Sequence, residues 1–95
     1  MRFPDKALLY CYAGGIYQDL KQYDNAFSYW HKALELDCDL MAATYSMGFC
    51  YEELGQYDKA YQLWSNLTKE LDRRGLAIER KYPAELAEKC LKQIR

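Results

Sequence analysis

The words LKQYDNAF at residues 20–27 and LGQYDKAY at residues 54–61 are nearly the same, and the offset between them governs much more of the chain than these two octets. Tyr23 and Tyr57 stand 34 residues apart. The same shift pairs Gly14 with Gly48, Tyr17 with Tyr51, Leu20 with Leu54, Gln22 with Gln56, Asp24 with Asp58, Ala26 with Ala60 and Trp30 with Trp64. Self-similarity at a fixed period of roughly 20–50 residues marks a stacked repeat architecture, in which each unit leaves a hydrophobic face that only a neighbour can cover.

Each copy reads as a pair of helices. In the first, Tyr10, Ala13, Gly14, Tyr17 and Leu20 recur at steps of three and four, one face of an α-helix. A second helix follows, with Asp24 expected to cap it and Ala26, Trp30, Ala33 and Leu34 as its apolar stripe. The second copy repeats the plan: Thr44, Met47, Gly48, Tyr51 and Leu54, a turn at Gly55-Gln56, a cap expected at Asp58, then Ala60, Trp64, Leu67 and Leu71. A glycine inside a helix costs about 1 kcal/mol relative to alanine, so Gly14 and Gly48 need a reason. Small residues facing Ala26 and Ala60 let two helix axes approach, while the tyrosines and tryptophans fill the wider space beside the crossing. Bulk at Gly14 or Ala26 should wedge the pair apart.

Taken with the Gly–Tyr–turn–Tyr-Asp-x-Ala spacing and the KALELD ending at Lys32–Asp37, this 34-residue helix–turn–helix period resembles the tetratricopeptide repeat. The residues that carry the resemblance are Gly14, Tyr17, Tyr23, Ala26, Trp30 and Ala33 in one copy, and Gly48, Tyr51, Gly55, Tyr57, Ala60 and Trp64 in the other. It implies an all-α superhelical stack: a single domain over residues 1–95, with repeats at 7–40 and 41–74 and a linker and capping helix at 75–95. Cys38 and Asp72 stand where family repeats commonly close with proline, and Leu67 replaces the common alanine matched by Ala33. Pro4, 34 residues before Cys38, sits where an upstream repeat would carry its closing proline. That leaves open both a piece of a longer array and a chain that starts at a repeat boundary.

The tail breaks the period. Gly75 after Arg73-Arg74 fits a helix stop, and Pro83 suits the first turn of a new helix over 83–94, with Leu86, Cys90 and Ile94 on one stripe. The competing reading runs the preceding helix through Gly75 to Tyr82, because Leu67, Leu71, Ile78 and Tyr82 also keep helical spacing.

Composition narrows function. Residues 1–68 carry five Lys/Arg against nine Asp/Glu, so −4; residues 69–95 carry eight against five, so +3. With a pI near 5.8, nucleic acid is not an expected partner. Although 51% of residues are hydrophobic, no apolar run approaches a membrane span and the start lacks a signal-peptide cleavage region. A cytoplasmic protein without a membrane partner is expected. Cys11, Cys38, Cys50 and Cys90 form no C-x-x-C pair, and His31 is the only histidine, so the expectation is buried reduced thiols and no metal or cofactor. His31 also has no serine or cysteine placed for it by sequence, AGG at 13–15 is not a dinucleotide fingerprint, and the adjacent Glu52 and Glu53 point about 100° apart on a helix. The chain reads as non-catalytic.

In proteins of the family it resembles, the first helices of successive repeats line a concave groove that holds a peptide or a partner's helix. The faces turned that way here carry Leu8, Cys11, Gly15, Gln18 and Asp19 in the first repeat and Ala42, Tyr45, Phe49, Glu52 and Glu53 in the second. Tyr45 and Phe49 either anchor a ligand over Cys11 and Gly15 or pack on those small residues to join the repeats. With Asp19, Glu52 and Glu53 beside them, an apolar anchor followed by a basic residue is the expected ligand. Repeats that clamp the acidic tails of chaperones place Lys, Asn and Asn where this chain has Cys11, Gly15 and Ser46, so such tails are not expected partners. The acidic front and basic tail also allow head-to-tail self-association into a homo-oligomer.

Overall fold

A computed structural model describes residues 6–94, and Pro4 lies outside them. The described chain is all helical, in the order α1 (Lys6–Asp19), α2 (Tyr23–Leu36), α3 (Met41–Glu53), α4 (Tyr57–Arg73) and α5 (Lys81–Ile94). It divides into two compact units, one ending at Cys50 and the other beginning at Tyr51, so that the boundary falls inside α3.

In the first unit α1 pairs with α2. Its core is small residues around one large one: Ala7, Cys11 and Gly14 from α1, Ala26, Trp30 and Ala33 from α2. Trp30 is fully buried, its indole N–H donating to the Cys11 carbonyl at 3.1 Å, with the Phe27 ring edge-on at 5.4 Å. A Cβ at Gly14 would lie 2.4 Å from Trp30 Nε1, inside contact distance. The glycine is there because the indole occupies the space a side chain would need. Tyr29 stacks on Tyr17 at 5.2 Å and meets Tyr10 at 5.9 Å, with the Lys32 ammonium 5.2 Å from the Tyr29 centroid.

The second unit pairs α4 with α5. Ala60, Trp64, Leu67 and Leu71 of α4 and Pro83, Leu86 and Cys90 of α5 are buried. Helix α4 ends at Arg73 and Gly75 has φ 75°, so the long helix running on to Tyr82 does not form. The last helix starts two residues before the expected position, at Lys81, which puts Pro83 in its first turn, where a missing N–H costs nothing. Ile94, expected on the α5 stripe, is 47% exposed at its end.

Two sequence expectations change. Asp24 and Asp58 are not the caps: Gln22 and Gln56 hold the N-cap positions, and neither makes a side-chain cap bond. The Gln22 side-chain oxygen instead accepts from Asn25 at 2.9 Å. Each aspartate sits inside the first turn, where it suits the positive end of the helix dipole. Leu20 and Leu54, expected on apolar stripes, fall in turns and are 59% and 37% exposed.

Those turns repeat as closely as the sequence does. Lys21 N–H donates to Gln18 O and Gln22 N–H to Tyr17 O; 34 residues on, Gly55 N–H donates to Glu52 O and Gln56 N–H to Tyr51 O. This paired bonding is a Schellman stop, and it recurs a third time from Gly75 and Leu76. It requires a left-handed residue. Gly55 and Gly75 supply it at φ 75°, whereas Lys21 is forced to φ 63°. Because a side chain in this region costs about 1 kcal/mol, Lys21→Gly is expected to stabilise the chain by about 0.5–1 kcal/mol and Gly55→Lys to destabilise it by a similar amount. Urea denaturation of the two variants checks the sign of each.

Candidate functional site

In the first unit the expected ligand face divides into buried and open parts. Cys11 is buried, and burial pushes its thiol above the usual range, an effect partly offset by a hydrogen bond with Ser46. That bond also brings α1 and α3 together. Tyr45 is half-buried and Phe49 is 39% exposed, and their rings stack at 6.2 Å between centroids with planes 24° apart. Residues four apart lie one above the other on a helix, so α3 presents a continuous aromatic strip one turn long.

Gly15 borders open space. No atom beyond its own helix backbone and chain neighbours lies within 4 Å of where its Cβ would stand, in contrast to the crowded Gly14. Tyr45 and Phe49 therefore do not close over Gly15 at contact distance. Gln18 is half-buried one turn further along α1, and Asp19 is exposed at its end.

Glu52 and Glu53 belong to the second unit. Glu53 is exposed, but Glu52 is half-buried and accepts the Trp64 indole N–H at 2.9 Å. The two tryptophans thus satisfy their N–H groups differently: Trp30 turns to a backbone carbonyl, and Trp64 to a carboxylate standing where the first repeat has Gln18. That bond was not anticipated from the sequence, although the replacement of Gln18 by Glu52 under the 34-residue shift was its signal. Glu52 also lines a cavity of about 210 Å³ with Tyr57, Lys89, Cys90 and Gln93. Burial, then the nearby Glu52 charge, raises the Cys90 thiol above its ordinary range, while Lys89 draws it down. A thiol held protonated in this way is a poor nucleophile at neutral pH.

Of the cysteines, Cys11, Cys50 and Cys90 are buried and Cys38 is exposed in the turn between α2 and α3, against the expectation of four buried thiols. His31 is exposed on α2. Among the described residues no three His, Cys, Asp or Glu side chains gather as a metal site, and no helix is long and apolar enough to cross a membrane. Glu70 accepts from both Arg73 and Arg74 at the end of α4, and those hydrogen bonds hold its carboxyl below the usual range. This exposed cluster neutralises part of the basic tail.

Comparison of the chain with protein-family models, curated proteins and solved structures returns no match.

Proposed function

We propose that the chain is a non-catalytic interaction module of tetratricopeptide type, whose helices stack as a superhelix and whose α1–α3 face binds a short segment of a partner protein. Support for the repeat reading comes from the 34-residue correspondence of buried positions: Ala26 with Ala60 and Trp30 with Trp64, all at 0% exposure, together with the matched helix stops after α1 and α3. The observation that carries the binding reading is the stacked Tyr45–Phe49 strip with Phe49 reaching solvent, in the same unit as the open space at Gly15.

Such a surface suits one apolar anchor side chain. Asp19, exposed at the end of α1, favours a basic residue in the same ligand, and the acidic tail of a chaperone would find no cation among Cys11, Gly15 and Ser46. Glu52 contributes less than its charge suggests, because its carboxylate is engaged by Trp64.

Peptide display against the parent chain and against Tyr45→Ala/Phe49→Ala tests the reading, after circular dichroism shows that the variant keeps its helices. Basic peptides with an apolar anchor should enrich on the parent and lose about 10–100-fold in affinity on the variant, as expected for removal of a central aromatic pair. Equal enrichment on both would show that the two rings serve packing alone.

A further inference from the structure

The cavity of about 210 Å³ beside Glu52 has walls from three helices of the second unit: Glu52 near the end of α3, Tyr57 at the start of α4, and Lys89, Cys90 and Gln93 on α5. Cys90 is 1% exposed and forms the floor, whereas Lys89 and Gln93 are exposed and, four residues apart on α5, stand one turn from each other at the rim. The lining thus holds one carboxylate, one ammonium, and a phenol and a carboxamide that each donate or accept. The Trp64 indole fixes the Glu52 carboxylate by donating to Oε2, which leaves Oε1 to accept from elsewhere. No hydrogen bond or ion pair among the described residues engages the side chain of Tyr57, Lys89 or Gln93, and Glu52 and Lys89 line the same cavity without pairing with each other. Polar groups of both charges therefore converge on one small space with bonding capacity left over.

We propose that this cavity is a binding site for a small free α-amino acid, whose ammonium group is received by Glu52 and whose carboxylate is received by Lys89. Charge selects this class. A ligand with a positive group alone meets Lys89 as well as Glu52, and one with a negative group alone meets Glu52 as well as Lys89, so attraction at one wall is offset by repulsion at the other. A zwitterion carries both charges a short distance apart and gains at both walls, through charge-assisted hydrogen bonds, which are the stronger kind. Tyr57 and Gln93 add to the set: a phenol oxygen accepts from the ammonium, and a side-chain amide N–H donates to the carboxylate. A thiol floor is small and apolar while it stays protonated, and burial together with the Glu52 charge keeps the Cys90 thiol in that form. Such a floor favours a short aliphatic side chain over a charged one.

Size points the same way. The cavity has room for about seven waters at about 30 Å³ each, and it is smaller than the roughly 300–1,000 Å³ of sites for drug-sized ligands. It accommodates a single amino acid and not an extended peptide. The inference does not rest on the peptide-binding reading: it uses neither Tyr45 nor Phe49, and all of its residues belong to the second unit.

Titration of the full chain with L-valine to about 50 mM, followed by ¹H–¹⁵N correlation spectra, tests the inference. The chain has two tryptophans, and the indole N–H of Trp64 is a built-in reporter because its acceptor is the carboxylate assigned to the ligand. Glu52→Gln identifies its signal: the glutamine oxygen still accepts the bond, and of the two indole signals this one should move. In the parent the Trp64 signal should shift saturably, with half-saturation below about 10 mM, while that of Trp30 stays in place. Isobutylamine and isobutyrate, which keep the side chain and one charge each, should bind at least about tenfold more weakly. Lys89→Met and Glu52→Gln should each weaken valine binding at least about tenfold and leave the helical circular dichroism intact. Lys89 is exposed and makes no bond within the described fold, so its loss does not report unfolding. Absence of a saturable shift at Trp64, single-charge analogues that bind as well as valine, or folded variants that bind valine like the parent would each overturn the inference. The analogue comparison uses the parent chain, so it decides the matter even where a variant fails to fold.

Discussion

Trp30→Ala is expected to cost about 3–5 kcal/mol, a large share of the roughly 5–15 kcal/mol available to a domain of this size. The side chain is wholly buried, closes over Gly14, and ties α1 to α2 through its bond to the Cys11 carbonyl. Alanine would leave a void walled by helix backbones that cannot collapse into it without moving. The melting temperature should fall by about 15–30 °C. Trp30→Phe keeps a ring in the site but loses the indole N–H, and its cost should be smaller, about 1–2 kcal/mol, because the Cys11 carbonyl retains its place in the α1 backbone ladder. The chain has two tryptophans, so the fluorescence of Trp64 in the alanine variant reports whether the second unit unfolds together with the first. A loss below about 1 kcal/mol for Trp30→Ala would mean that the α1–α2 crossing is not built on the indole.

Trp30 was legible before any coordinates because helix packing leaves a strong trace in sequence. The 34-residue correspondence of small and aromatic residues picks out Ala26, Trp30, Ala60 and Trp64, and all four are wholly buried. Helix ends were harder. An aspartate before an apolar run matches the capping pattern, yet the chain enters each second helix from a Schellman stop, and this fixes the cap two residues earlier, at Gln22 and Gln56, with the helices starting at Tyr23 and Tyr57. The left-handed Lys21 was hidden for a related reason: lysine carries no turn signal, and only its pairing with Gly55 under the repeat shift points to the conformation it adopts.

Side-chain commitments were less legible than positions. Glu52 was expected on a ligand-facing side of its helix, but whether a carboxylate meets a ligand or a neighbour depends on its rotamer, and here it accepts the Trp64 indole N–H. An exposed apolar stripe on α1 was obscured by a different effect. Apolar residues surround that helix so evenly that periodicity does not say which are buried, and Leu9, Tyr12 and Ile16 separate from Ala7, Cys11 and Gly14 only once α2 has taken its side.

Adjacent glycines in the same helix should respond to alanine with opposite signs. Both substitutions gain helix propensity, about 1 kcal/mol for glycine to alanine at an interior position. At Gly15 nothing opposes that gain, since no neighbouring atom lies within 4 Å of the new methyl group, and Gly15→Ala should stabilise by about 0.5–1 kcal/mol. At Gly14 the methyl would stand 2.4 Å from Trp30 Nε1, 2.6 Å from Cδ1 and 2.9 Å from Cε2. The indole cannot swing aside: it is fully enclosed, and its N–H is held by the Cys11 carbonyl one turn earlier on the same helix. Relief must come from separating α1 and α2, and overpacking of this kind costs about 1–3 kcal/mol, more for Gly14→Leu. The overpacking term exceeds the propensity term, so Gly14→Ala should destabilise by about 1–2 kcal/mol despite being the better helix former. A double-mutant cycle with Trp30→Phe locates the cause, because a smaller ring recovers part of the Gly14→Ala penalty if the clash is with the indole, whereas simple addition of the two losses would place the strain elsewhere in α1.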